Sequence, residues 1–75
     1  MTFTDSCIAK DKHGNPSIFR AGQKVRVLLD NCPQLWGMTA TVKSCFYQEM
    51  GLGESGLAVL LDELSWTFCK DLEVI

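Results

Sequence analysis

Four cysteines and one histidine are the side chains of this sequence best suited to metal binding or redox chemistry: Cys7, Cys32, Cys45, Cys69 and His13. Zinc sites usually contain a closely spaced C-x-x-C pair, and no two of these cysteines have that spacing. We therefore favour reduced thiols that pack as small apolar side chains. Two alternatives stay open, because folding can bring distant cysteines together: zinc bound by three or four cysteines, with or without the histidine, and a disulfide or redox function.

Catalytic machinery is not indicated by the rest of the sequence. His13 lies in the polar segment 11–16, whose Asp, Gly, Asn and Pro residues are typical of an exposed turn. No nucleophile stands at a recognisable spacing from a base, and one histidine would have to make every proton transfer. The glycine-rich segment 51–56 matches no phosphate loop. We therefore expect a protein that is not an enzyme, with no catalytic residue, no cofactor and no bound metal.

Short strands are the elements that would have to position any site. Runs rich in β-branched and apolar residues at 25–29, 39–46, 57–61 and 66–69 predict strands separated by Gly, Pro and Asn. One tight helical turn is expected at 69–71, and Leu72 is expected to close the core. Upstream, segments 6–10 and 17–20 flank the turn signal at 11–16. Residues 1–21 are therefore predicted to form either an N-terminal hairpin packed on the strands that follow or a mobile arm, and the hairpin is favoured.

The alternation within these strands predicts which side chains share a face. In the first strand Arg26 and Leu28 lie opposite to the inward-facing valines. In the second, Ala40, Val42 and Ser44 share one face. In the third, Ala58 and Leu60 are expected to face outward. Outward apolar residues close to a tryptophan would form a patch suited to a protein partner.

Candidate partner-binding residues follow from this pattern and from the glycine-rich loop, since loops on rigid scaffolds often carry recognition. The set combines outward leucines, both tryptophans and the side chains near the loop: Leu28, Trp36, Glu49, Met50, Leu52, Glu54, Leu60 and Trp66.

Charge is unevenly distributed along the chain, whose formal net charge is -2. Residues 1–24 carry a net charge of +2, from four basic residues and two aspartates, and residues 25–75 carry -4. Nucleic-acid binding depends on a positive surface that contacts phosphates, so the acidic part is a poor nucleic-acid binder. Only the N-terminal part is suited to an acidic partner.

Size and hydropathy limit how the chain can be stabilised and where it can be located. A chain of 75 residues forms a small core, which makes oligomerisation or docking to a larger protein an attractive source of stability. No apolar run reaches the roughly 20 residues of a membrane-spanning helix. The first residues lack the pattern of a secretion signal or transit peptide. We expect a cytoplasmic protein, with attachment to the periphery of a membrane complex left open.

Four stretches together resemble the small SH3-like barrels: Gly22-x-x-Val25-x-Val27, Trp36-Gly37-x-x-Ala40-x-Val42, Val59-x-Leu61-Asp62 and Trp66-x-Phe68-x-x-Asp71-Leu72-Glu73. The pattern is most similar to that of peripheral subunits of photosynthetic electron-transfer complexes. These are photosystem I reaction-centre subunit IV, subunit S of the photosynthetic NAD(P)H dehydrogenase-like complex and the variable chain of ferredoxin-thioredoxin reductase. The resemblance covers residues 22–75.

This resemblance implies an all-β fold, a small five-stranded SH3-like barrel at 22–75 with no chemistry of its own. Such a subunit would stabilise a larger assembly or position an acidic electron carrier. The acidic charge of residues 25–75 opposes the docking of acidic ferredoxin, so no docking residue is transferred. The expectation is a non-catalytic protein-binding or assembly module. The alternatives are a nucleic-acid-binding barrel of a ribosomal or transcriptional type and a cysteine-based metal or redox protein.

Overall fold

The computed structural model describes residues 2–49, 55–62 and 65–75, which form seven strands and two 3₁₀ turns. The strands are β1 (Ser6–Lys10), β2 (Pro16–Arg20), β3 (Lys24–Val27), β4 (Thr39–Glu49), β5 (Ser55–Leu61), β6 (Trp66–Phe68) and β7 (Leu72–Val74). The 3₁₀ turns are Pro33–Leu35 and Cys69–Asp71. The prediction of an all-β fold is confirmed. Within the described residues no helix is long and apolar enough to span a membrane.

Five of the strands form one antiparallel sheet in the order β6-β5-β4-β3-β7. The long strand β4 lies at the centre and pairs with β3 through its first residues and with β5 through the rest. In the described parts of the chain no ladder joins β6 to β7, so the sheet has two edges and is not closed by strand pairing. The 3₁₀ turn Cys69–Asp71 connects these two edge strands directly.

The N-terminal hairpin consists of β1 and β2, which pair in the register Ile8 with Ile18 and Cys7 with Phe19. At its tip Gly14 has a φ of 80°, a left-handed conformation that glycine adopts without a steric cost. Backbone hydrogen bonds attach the hairpin to the sheet at both ends. Thr4 pairs with Cys45 in β4, and the N–H of Lys12 donates to the carbonyl of Leu72 at 2.8 Å.

The core lies between the five-stranded sheet and the inner face of the hairpin. Its buried members come from both parts of the chain: Phe19, Val25, Val27, Ala40, Val42, Cys45, Val59, Leu61, Cys69 and Leu72. Phe19 is the largest side chain among those that are fully buried. Because the hairpin supplies this side chain, residues 6–20 and the sheet share one hydrophobic core.

A bulge in β4 changes the face predicted for its second half. The register pairs Val42 with Leu61 and Ser44 with Leu60, so that one extra residue, Lys43, stands in β4. A β-bulge of this kind shifts the alternation by one position. Ser44 is therefore only half-buried, and Cys45 joins the core. The expectation that Ser44 shares a face with Val42 is wrong for this reason.

Two residues expected to face outward are buried. Leu28 follows the end of β3, where strand alternation no longer applies, and its N–H donates to the carbonyl of Asp71 at 2.9 Å. Only 7% of Leu28 is exposed. Ala58 does lie on the face away from the core, but its cross-strand neighbours there are Phe46 and Phe68, and it is buried.

Candidate binding groove

A groove of about 420 Å³ lies at the open side of the sheet, between the edge strand β6 and the loop that follows β3. The loop contributes Asp30 and Asn31, and the opposite wall comprises β6 and the adjoining 3₁₀ turn. The complete lining is Leu29, Asp30, Asn31, Trp66, Thr67, Phe68, Lys70 and Asp71. The groove therefore forms where the loop after β3 faces the edge strand β6 and the 3₁₀ turn that follows it.

Aromatic rings form one wall of the groove and continue across the outer face of the sheet. Trp66 and Phe68 are alternate residues of β6, and their ring centroids lie 5.0 Å apart in an edge-to-face arrangement. Trp66 also packs edge-on against Phe46 at 6.1 Å, and Phe46 contacts Phe3 at 5.3 Å. Such aromatic pairs add stability beyond area burial and hold the rings in fixed orientations. The Trp66 ring is thus a rigid, half-buried part of the wall.

Two lysines near the groove contact groups of the protein itself. Lys12 of the hairpin tip places its Nζ 2.7 Å from Oδ2 of Asp30, and the same Nζ lies 5.9 Å from the centroid of the Trp36 ring. Lys70 places its Nζ 5.3 Å from the centroid of the Phe68 ring. Cations above aromatic faces are held by the ring quadrupole. The groove therefore offers aromatic surface and no large net charge to a ligand.

The structure separates the predicted partner-binding residues. Trp66 lines the groove, and Trp36 stands beyond the Lys12–Asp30 pair with 51% of its surface exposed. Leu60 is half-buried in β5, and Glu49 is exposed at the end of β4. Leu28 is buried and cannot offer the outward contact expected of it. Three further members of the predicted set lie outside the described residues: Met50, Leu52 and Glu54.

Trp66 is the only lining residue of this groove that belongs to the predicted set, and the residues missed include Asn31, Phe68 and Asp71. Asp30, Asn31 and Pro33, which follow the first predicted strand, are typical of a loop, and alternation places Phe68 on the same face as Trp66. Neither signal shows that the loop and the 3₁₀ turn become neighbours. That proximity comes from long-range contacts such as the hydrogen bond from Leu28 to Asp71.

Three of the cysteines meet beneath the hairpin. Cys45 and Cys69 belong to the buried core, and Cys7 packs against it from β1. Cys7 is the cross-strand partner of Phe19, whose carbonyl accepts a hydrogen bond from the Cys45 thiol at 3.3 Å. All four cysteines are free thiols, and Cys32 is half-buried near the 3₁₀ turn Pro33–Leu35. No group of His, Cys, Asp and Glu side chains within the described ranges is arranged to hold a metal ion.

Burial makes the core thiols weak acids. Desolvation, with a smaller contribution from the neighbouring Cys7 thiol, raises the pKa of Cys45 from 9.0 to about 12. Desolvation followed by Cys7 and Cys45 raises the pKa of Cys69 as well. Nucleophilic and metal-binding cysteines act as thiolates, so these two side chains are suited to packing at neutral pH.

His13 lies at the hairpin tip, as its turn signal predicts, and it is exposed. Its Nε2 is 2.6 Å from Oε2 of Glu73, whose Oε1 accepts a hydrogen bond from Arg26 at 2.9 Å. The histidine therefore helps to attach the hairpin tip to β7, whose Glu73 is also bound by Arg26 of β3. It lies in neither the thiol cluster nor the groove.

Comparison of the chain with protein-family models, with curated protein sequences and with solved structures finds no match.

Proposed function

We propose that this chain is a non-catalytic protein-binding module, which acts in the cytoplasm as a small accessory or regulatory subunit of a larger complex. The observation that carries the proposal is the groove between Asn31 and Trp66, where a rigid aromatic wall stands beside a free sheet edge. Aromatic side chains are the usual anchors of protein interfaces, because they bury much area at a low entropic cost.

The free edge of β6 favours an extended segment of the partner as the ligand. Strand β6 pairs with β5 on one side, and no backbone hydrogen bond among the described residues occupies its other side. An exposed edge can accept an added strand, whose main chain supplies hydrogen bonds while alternate side chains enter pockets. A partner strand beside β6 would bring alternate side chains against Trp66 and Phe68.

The finer form of the proposal is an SH3-like barrel. Support comes from the strand order β6-β5-β4-β3-β7, from the central strand shared by both halves of the sheet and from the 3₁₀ turn Cys69–Asp71 before the last strand. In its most specific form, which follows the resemblance alone, the protein is a peripheral subunit of a photosynthetic electron-transfer complex. Fold likeness does not determine function, so the partner has to be identified experimentally.

The test is a substitution that fills the groove without touching the core. Asn31→Arg places a long side chain on the exposed loop wall of the groove. The matched control is Gln34→Arg, the same change at an exposed position of the nearby 3₁₀ turn that does not line the groove.

Wild-type protein and both variants are used to capture partners from the native host, and the captured proteins are quantified by mass spectrometry. We expect a partner that is stoichiometric with the wild type and with Gln34→Arg to be lost with Asn31→Arg. Retention of every partner by Asn31→Arg, with its thermal unfolding unchanged, would contradict binding in the groove.

A further inference from the structure

The outer face of the N-terminal hairpin exposes a pair of isoleucines that nothing in the described fold covers. Ile8 and Ile18 are directly opposite each other in the register of β1 and β2, and they are 67% and 51% exposed. The face consists of the outward residues of the two strands: Ser6, Ile8, Lys10, Pro16, Ile18 and Arg20. Single exposed apolar residues are common, but a directly paired set on one sheet face concentrates apolar surface.

Two cations flank this pair, and both are available to a partner. Arg20 stands opposite Ser6 at one end and Lys10 opposite Pro16 at the other. Neither forms an ion pair with any described residue, whereas the neighbouring Lys12 is paired with Asp30. Asp11, which follows Lys10, is turned into the hairpin tip, where its Oδ1 accepts hydrogen bonds from the N–H groups of His13 and Asn15.

We propose that the outer hairpin face is a second docking surface, for a protein whose apolar patch is bordered by carboxylates. This partner is favoured because its carboxylates would be complementary to Lys10 and Arg20. A second copy of the chain, stacked face to face, would bring Lys10 and Arg20 of both copies together and would be repelled. A carboxylate-bordered patch would satisfy both cations and cover both isoleucines.

Other anionic partners fit this face less well. Each cation near an anionic membrane contributes only about 1 kcal/mol, so two of them with two isoleucines give marginal attachment. Nucleic acid would meet two cations and would leave the isoleucines without apolar contacts, because phosphate binding uses charge alone. This surface is distinct from the groove and goes beyond the function proposed above.

The probe for the test is a phage-displayed random peptide library, selected on the immobilised wild-type protein at low salt. Selected peptides are synthesised, and their affinities are measured for two variants of the face. Ile8→Thr/Ile18→Thr removes the apolar surface and keeps β-branched residues in the strands. Lys10→Gln/Arg20→Gln removes the charges. The matched controls are Ile75→Thr, an exposed isoleucine elsewhere, and Lys24→Gln/Lys43→Gln, exposed cations on β3 and β4.

We expect a class of peptides that combine apolar and acidic residues, bind the wild type and both controls, and lose at least about tenfold in affinity with either face variant. The proposal would be overturned if every selected peptide bound the face variants as tightly as the wild type. It would also be overturned if peptide binding depended only on Asn31, and that result would leave the groove proposal intact. Vesicles containing phosphatidylserine and generic duplex DNA are tested in parallel. The proposal would also be overturned if the vesicles or the DNA bound more strongly than the peptides and if the Lys10→Gln/Arg20→Gln variant lost that binding.

Discussion

The two faces of the N-terminal hairpin carry apolar residues of similar size in very different surroundings. Phe19 is 0% exposed, and the preceding residue, Ile18, is 51% exposed. On β1 the same contrast separates Cys7, which packs against the core, from Ile8. The face of the strand on which a residue lies decides its burial here, and the residue type does not. The inner face completes the core of the domain, and the outer face leaves apolar surface exposed.

The largest expected effect comes from the inner face. Phe19→Ala removes a fully buried ring at the centre of the shared core and should lower the free energy of unfolding by about 3–5 kcal/mol. The control on the outer face is Ile18→Ala, which should cost less than about 1 kcal/mol. Chemical denaturation of both variants measures the difference. Equal effects would show that the hairpin does not share the core.

The thiols beneath the hairpin should make the protein sensitive to alkaline pH. Burial raises the pKa of Cys45 from 9.0 to about 12, so above 9.0 the unfolded chain loses a proton that the folded chain keeps. The free energy of unfolding should therefore fall as the pH rises through this window, by at most about 1.4 kcal/mol per pH unit for each such thiol.

Cys69 should likewise lower the free energy of unfolding as the pH rises, because burial also raises its pKa. Denaturation midpoints measured across this pH range should fall less steeply for Cys45→Ala than for the wild type. Val59→Ala, a buried substitution that removes no titratable group, should keep the wild-type slope. Identical slopes for all three proteins would contradict the proposed burial of the thiols.

The contacts of Glu73 with the hairpin tip and with β3 should contribute less to stability. Glu73→Gln weakens the contacts of Glu73 with both His13 and Arg26, and because these side chains are partly exposed we expect a loss of about 0.5–1 kcal/mol. Added salt should reduce the difference from the wild type. Glu49→Gln, at an exposed position without an ion pair to any described residue, is the matched control and should change little.

The smallest expected effect is at the exposed turn. Hydrogen bonds from the backbone of Asn15, with smaller contributions from His13 and Ser17, lower the pKa of Asp11 from 3.8. The stabilisation is present above 3.8 and is lost as the pH falls through the lowered pKa. Asp11→Asn should therefore differ from the wild type in thermal midpoint at neutral pH and should approach it in acid.

Local patterns predicted most of the strands because each depends on neighbouring residues. The hairpin, the turn at 69–71 and the runs around Val25 and Val59 lie within a few positions of their predicted bounds. The face of Cys45 could not be predicted, since the bulge beside Lys43 is visible only in the pairing with β5. The burial of Leu28 could not be predicted either, because β3 ends at Val27 and strand alternation does not apply beyond it.

The candidate site was less predictable than the strands. Trp66 belongs to the predicted set as one of two tryptophans, and the structure places it in a groove whose other wall is remote in sequence. The meeting of Cys7 with Cys45 and Cys69 has the same origin, because it depends on how the hairpin folds back onto the sheet. Contacts between distant segments leave no local signal in a single sequence.

The most direct test of the proposed binding function is hydrogen exchange of the backbone amides, measured by mass spectrometry on the free protein and on the complex isolated from the native host. Our account predicts new protection in the two walls of the groove, at residues 29–31 and 66–71. Exchange in both segments that is unchanged by the partner, while other surfaces become protected, would contradict the groove as the binding site.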